Sequence, residues 1–297
     1  MAKKLYTKKI QIGNHSYEFV KKRIRSSISI YKNNGYFLRI GNNRDILKDL
    51  AFQRKLLKFG FPVANVTQTG KKDKERFFIE KSLGKKPLGA LFIDNCKDKR
   101  YISDENFKLY LKLTREFCSA QLRSAFPSKR YVRKDYLEEA VSKELPNLKH
   151  DISEAFDKMR MHTSTLPFVI THGDLHPLNI MPRGVIDFEH AFYGPAGYDA
   201  IVNIYHHYSF PKKGDYEMKR AWWFSEKQID TYMNMVGTLY LKHGLDVPSR
   251  YIDDFIFWRT AWFAVNAVKF PKLQKWEYAL FKKILLDYNN DNTLWHM

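Results

Sequence analysis

Cysteine is nearly absent: Cys96 and Cys118 are the only two in 297 residues. They form no Cys-x-x-Cys pattern, which excludes a disulfide framework and, without several histidines, a zinc cage. A reducing cytoplasm is the expected setting. Also missing is an apolar run long enough to span a bilayer. The basic start MAKKLYTKKI leads into no apolar stretch, and the most apolar later segment, IDDFIFWRTAWFAVNAVKF, is short and interrupted by Arg259. A soluble, uncleaved chain is predicted. Acid is scarce as well: 51 Lys and Arg against 32 Asp and Glu leave a formal charge of +19. The excess is uneven, with 20 basic and 6 acidic side chains in residues 1–82 and 31 against 26 in the rest. That first third is a basic body of its own, suited to a solvated surface or to contact with a polyanion such as nucleic acid, anionic lipid or a phosphorylated sugar.

What is present is a hydrophobic content of 44%, enough for a large core or two lobes and too high for a disordered chain. From Ser16 to Ile40, β-branched and aromatic residues nearly alternate, with breaks at Arg25-Ser26-Ser27 and Asn33-Asn34-Gly35, which predicts three strands joined by two hairpin turns. DILKDLAFQRKLLKFG puts Ile46, Leu47, Leu50, Leu56 and Leu57 on one helical face and stops at Gly60; FPVANVTQT and ERFFIEKSL then read as strands around KKDK. The order β-β-β-α-β-β over residues 1–82 gives way to helical lengths over 83–297, as in DENFKLYLKLTREFCSAQLRSAF and YLEEAVSKELPNLKHDISEAFDKMRMH, broken at Pro127 and Pro146. A hinge is expected near residues 80–86. The aromatic-rich last hundred residues, with Trp222, Trp223, Trp258 and Trp262, read as core or groove lining.

One stretch carries chemistry. THGDLHPLNIMPRGVIDFEH, from Thr171 to His190, sets Asp174, Asn179 and Asp187 into an apolar segment. Asp174 and Asn179 flank the Pro177 turn, and Asp187 ends the strand GVI, so the three meet only if IMPRGV folds back as a tight hairpin, which Pro182 and Gly184 permit. Magnesium takes oxygen ligands and keeps phosphates and water in its shell, so Asn179 and Asp187 suit a metal-nucleotide. Asp174 is then left to orient a hydroxyl and accept its proton, the division of labour of phosphoryl transfer. Two other readings stand beside it: ordinary Asp and Asn turn chemistry, and metal hydrolysis with His172, Asp174 and His176 as chelators. His172 itself is expected to pack and brace the loop.

HGDLHPLN followed by VIDFE resembles the catalytic loop and metal-binding strand of the aminoglycoside phosphotransferase and choline kinase group, relatives of the protein kinases, and the resemblance covers most of residues 16–205, more weakly beyond. The resemblance implies an α+β, bilobal kinase-like fold with a small antiparallel sheet lobe carrying one main helix and a large helical lobe. It implies transfer of the γ-phosphoryl group of ATP or GTP, with Mg2+, to a hydroxyl of a small acceptor of aminoglycoside, amino-alcohol or sugar type. Asp174 would be the base, and Asn179 and Asp187 the metal ligands. Arg39 in GYFLRI would contact phosphates with Asp49 as its helix acid, and backbone groups near Glu80 and Ser82 would meet the base at the inter-lobe hinge. Asp199 in GPAGYDA would be structural. The chain departs from the group's pattern in three places. The interval from Asn179 to Asp187 is short, which leaves the position of Arg183 open. Asp49 stands where Glu is commoner, so its pair with Arg39 is expected to be loose or water-bridged. The phosphate-covering loop RIRSSIS has Ser26 and Ser27 instead of glycines, with hydroxyls and backbone N–H groups to offer phosphate. His176 is expected to touch the transferred group or brace the loop. Glu189, on the same side of an extended segment as Asp187, is expected to support metal or substrate or to form a salt bridge. Alternative readings are the same chemistry on a large anionic acceptor, RNA or glycolipid, docked by VKKRIR and SKRYVRK, and a nucleotide-binding scaffold.

Overall fold

The computed structural model describes residues 7–23, 26–96, 101–126, 136–206 and 222–294. The chain divides into two compact units, residues 1–87 with 180–186 and residues 88–179 with 187–297. The division expected after residue 82 thus falls after Pro87, and a short segment from the middle of the chain joins the first unit.

In the first unit, β1 (Lys9–Ile12), β2 (His15–Lys22), β3 (Ser29–Asn33), β4 (Tyr36–Gly41), β5 (Val66–Lys72) and β6 (Glu75–Lys81) form an antiparallel sheet in the order β1-β2-β3-β4-β6-β5. The helix α1 (Asn43–Lys58) follows β4. Strand alternation sorts the side chains into two layers. Tyr17, Tyr31, Leu38, Ile40 and Ile79 pack on one face, while Ile28, Ile30 and Phe78 pack with Ile46 and Leu50 of α1 on the other. Phe37 and Arg39, odd positions of β4, share that α1 face. Asn42 caps the helix, its side chain accepting the Asp45 N–H at 2.8 Å. Two expectations are corrected. There are four strands before the helix, because β1 is too short for its alternation to be visible. Leu47 is 41% exposed, and the core-facing row of α1 instead includes Gln53, whose amide donates to the Ala64 carbonyl at 2.7 Å.

The second unit holds α2 (Leu88–Asn95), α3 (Asp104–Arg123), α4 (Tyr136–Glu144), α5 (Lys149–Thr163), α6 (Tyr198–Tyr205), α7 (Glu226–Leu241), α8 (Ile252–Asn266) and α9 (Pro271–Asn289). Ser103 caps α3, and Ser225 with Gln228 forms a capping box on α7. Pro146 ends α4 and opens a 3-10 turn before α5, as its missing N–H requires. Phe156, Ile201, Phe255, Phe257, Phe281 and Ile284 fill a core shared by α5, α6, α8 and α9. Strands β7 (Phe168–Thr171) and β10 (Phe192–Pro195) pair antiparallel, and the stretch between them holds Asp174, Asn179 and Asp187. The α+β class, antiparallel sheet first and helices after it, is the one expected. Among the described residues no helix is long and apolar enough to cross a membrane.

Candidate active site

The loop that leaves β7 is fixed by its backbone. Gly173 has φ +78°, and a Cβ there would sit 2.3 Å from the His190 carbonyl oxygen, so no other residue fits. Asp199, buried in the first turn of α6, accepts the backbone N–H of His172 at 2.6 Å and of Gly173 at 3.1 Å. The Gln121 amide of α3 donates to the same carboxyl at 2.7 Å. Burial pushes that carboxyl up to about 7 against the pull of these donors. Asp199 is therefore the strut of the loop. His172 is buried beneath it, Nδ1 accepting the Asp174 N–H at 3.2 Å and the ring 4.6 Å from that of Phe188, which is the bracing role expected of it.

Asp174 and Asn179 are drawn together by a 3-10 turn, Pro177–Asn179, in which the Asn179 amide donates to the Asp174 carbonyl at 2.9 Å. The His176 Nδ1 accepts the Leu178 N–H at 3.3 Å, and its Nε2 lies 3.5 Å from Asp174 Oδ2 and 3.1 Å from the Asn179 amide nitrogen. Its ring stacks on His206 with centroids 4.0 Å apart and planes 7° from parallel. Arg259 of α8 donates through Nη2 to Asp174 Oδ1 at 2.5 Å and through Nη1 to the Gly173 carbonyl at 3.0 Å. Burial alone would raise the Asp174 carboxyl; the Arg259 guanidinium, with His176 and His206, outweighs it and holds the carboxyl well below the usual carboxylate range. Donor atoms of Asp174, His176 and His206 lie within 4.8 Å of one another. Parallel imidazole planes, however, cannot aim both lone pairs at one ion, and His172 is turned into the core. The chelate of a metal hydrolase is not formed.

The chain then makes its hairpin. Strands β8 (Ile180–Met181) and β9 (Gly184–Val185) pair Ile180 with Val185 and Met181 with Gly184. Within the first unit the Val185 N–H donates to the Pro62 carbonyl at 2.6 Å, and Arg183 donates through its backbone N–H to Leu83 at 3.0 Å and through Nη2 to the Ser82 carbonyl at 2.7 Å. Asp187 follows in the left-handed region, φ 69° and ψ 49°, a conformation Asp tolerates better than most residues. It opens a 3-10 turn, Phe188–His190, so the extended segment expected around Glu189 does not exist. Glu189 lies 3.9 Å from the His190 ring instead.

In the first unit Arg39 is 8% exposed. Its Nε and Nη2 reach Glu80 Oε1 at 2.8 and 2.7 Å, and Nη1 reaches Asp49 Oδ2 at 3.1 Å. The loose or water-bridged pair expected with Asp49 is a direct ion pair. Asp49 also takes Arg23 Nη1 at 2.7 Å, so one short acid serves two guanidinium groups. Glu80 contributes its side chain to this network, while its backbone lies in the sheet beside β4 and β5. The Ser82 N–H donates to the Gly35 carbonyl at 2.7 Å. In the serine loop, Ser27 N–H donates to Asp45 Oδ2 at 2.7 Å, Ser27 Oγ accepts from Asn42 N–H at 2.9 Å, and Ser26 Oγ accepts from Ile28 N–H at 3.3 Å. Of the basic motifs, Ile24 and Arg25 and the whole of SKRYVRK lie outside the described residues. A cavity of about 910 Å³ opens in this unit beside Phe37, Ser82, Leu83 and Gly84, with Lys9, Lys32, Lys85 and Arg183 around it.

Arg259, Arg23 and His206 were not singled out for the site by sequence reasoning. For Arg259 a signal existed: an arginine inside an apolar helix with Trp262 and Phe263 three and four positions on is spaced to stack under both rings.

No curated protein sequence matches the chain. Among solved structures, an aminoglycoside-3'-phosphotransferase of type VIII superposes with a TM-score of 0.44 at 14% identity, covering 80% of this chain and 93% of its own. A choline/ethanolamine kinase family protein from Mesorhizobium loti gives 0.47 at 13% identity, covering 93% of each chain. An aminoglycoside phosphotransferase from Streptomyces rimosus, solved with ADP and streptomycin, gives 0.44 at 10% identity, covering 80% of this chain and 90% of its own. The family model described as the phosphotransferase enzyme family matches residues 107–227, a span that contains Asp174, Asn179, Asp187 and Asp199.

Proposed function

We propose that the protein is a kinase that moves the γ-phosphoryl group of a nucleoside triphosphate, ATP or GTP, to a hydroxyl of a small acceptor of aminoglycoside, amino-alcohol or sugar type. The observation that carries this reading is the closed loop in which the Asn179 amide bonds to the Asp174 carbonyl, followed by a hairpin so short that Asp187 comes two residues after the strand partner of Ile180. Base and oxygen donors therefore occur in the order and compactness that phosphoryl transfer needs.

Asp174 orients the acceptor hydroxyl and takes its proton as the acceptor oxygen bonds to the γ-phosphorus and the bond to the β-phosphate oxygen breaks, releasing the nucleoside diphosphate. Because its carboxyl is held ionised by its surroundings, it acts more by alignment than by basicity in the resting state. Asn179 and Asp187 supply an amide oxygen and a carboxylate, a hard donor set without sulfur or imidazole, which fits Mg2+. When bound, the ion would offset the phosphate charge. Arg39 brings a buried, aligned guanidinium as the phosphate contact of the first unit. The cavity beside Phe37 has a volume within the usual range of small-ligand sites, about 300–1,000 Å³.

The test is a nucleotide-consumption screen against hydroxylated acceptors, namely aminoglycosides, choline-like alcohols, sugars and RNA, run with Mg2+ and with chelator. Turnover of a small alcohol that vanishes with chelator is expected, and Asp174→Asn should lower it by about 10²-fold or more while keeping nucleotide binding. Near-normal turnover in Asp174→Asn would remove the base from the mechanism.

A further inference from the structure

Arg259 interrupts an apolar helix, and its side chain has no exposed surface. Taking a guanidinium wholly out of water carries a large desolvation penalty that an apolar residue of similar volume would avoid. Its contacts show where the charge goes. The two terminal nitrogens grip consecutive residues of one loop, the Gly173 carbonyl at 3.0 Å and Asp174 Oδ1 at 2.5 Å. The guanidinium carbon lies 4.3 Å from the Trp262 ring and 4.1 Å from the Phe263 ring, so the fork is held against its own helix. With Oδ1 committed to Arg259, Oδ2, with His176 Nε2 3.5 Å away, is the oxygen left to meet a hydroxyl.

We propose that Arg259 is the positioning residue of the base, fixing both the peptide and the carboxylate rotamer of Asp174 so that Oδ2 meets the acceptor. This rests on the kinase reading above. A purely structural arginine would stabilise the helical unit without affecting the chemical step; a positioning residue acts on kcat.

The experiment compares wild type, Arg259→Lys, Arg259→Gln, Asp174→Asn and the Asp174→Asn/Arg259→Gln double variant of the full chain. The readouts are Mg-ATP turnover, with water and with each acceptor that the screen returns, and the melting shift given by Mg-ATP. Lysine keeps the charge but loses the planar fork that holds two oxygen atoms in one fixed geometry. Both Arg259 variants are expected to keep the Mg-ATP melting shift and a KM for Mg-ATP within about threefold, while kcat falls by about tenfold or more, the scale of a misaligned reacting group. The double variant should lose no more than Asp174→Asn alone, because the arginine acts through that carboxylate. A kcat within twofold of wild type in Arg259→Lys and Arg259→Gln overturns the proposal, as do additive losses in the double variant. Loss of the fold in both single variants also overturns it, since Arg259 is then a core residue only. Failure of the kinase reading has a different signature: no wild-type turnover, or full turnover in Asp174→Asn.

Discussion

Glu277 of α9 has no exposed surface, and neither carboxyl oxygen has a hydrogen-bond partner among the described residues. Burial pushes this carboxyl up to about 8, against the opposing pull of Arg259. The folded chain therefore keeps a proton that the unfolded chain releases near its ordinary value of 4.5. Between those two values the native state binds more protons, so stability falls as pH rises through the window, and the loss is complete above the folded value. Thermal melts at pH 5 and pH 9 check this: Glu277→Gln should match wild type at the lower pH and melt several degrees above it at the higher. Parallel curves would show that the carboxyl does not titrate in the fold. Such a residue is invisible in sequence, where Glu277 reads as one charge on an amphipathic helix. The candidate set Asp174, Asn179 and Asp187 could be picked out because its spacing needs no partner elsewhere to be noticed. Arg259 was not, since its carboxylate partner lies 85 positions earlier in the chain.

The hairpin β8–β9 was legible as an element, because Pro182 and Gly184 in a six-residue interval leave few ways to turn. Its packing was not, since nothing local marks Pro62 as the neighbour. Gly184 has φ +152°, and a Cβ there would sit 2.1 Å from the Pro62 carbonyl oxygen, the acceptor of the Val185 N–H. Gly184→Ala must therefore move backbone, and a loss on the order of 2 kcal/mol or more is expected from strain together with the weakened bond. Urea unfolding of the full chain measures it; a change within about 0.5 kcal/mol, the range of a neutral surface substitution, would show that the turn yields freely. Helices α3, α4 and α5 were readable from periodicity and from Pro146. The first strand was lost for want of length, and Leu47 was misplaced because it sits at the margin of the apolar stripe of α1, where periodicity does not decide between core and solvent.

For the molecule as a whole, the change from strands to helices in the eighties was written in composition and periodicity, and so was the basic excess of the first third. What no composition shift reveals is that the first unit recruits residues 180–186. The Pro62 and Leu83 carbonyls accept backbone N–H groups from that segment, those of Val185 and Arg183 respectively. Residues 1–87 expressed alone leave both carbonyls without these partners. Relative to a version with IMPRGVI appended through a flexible linker, they should be less stable by about 2 kcal/mol in urea, at about 1 kcal/mol per hydrogen bond. Equal stability would mean that the segment adds nothing to the sheet unit. A gene cut after Pro87 would accordingly give two pieces of unequal completeness, the second carrying the strand pair that the first lacks. That is the layout of a fragment-complementation pair, in which the second piece supplies the segment that completes the first.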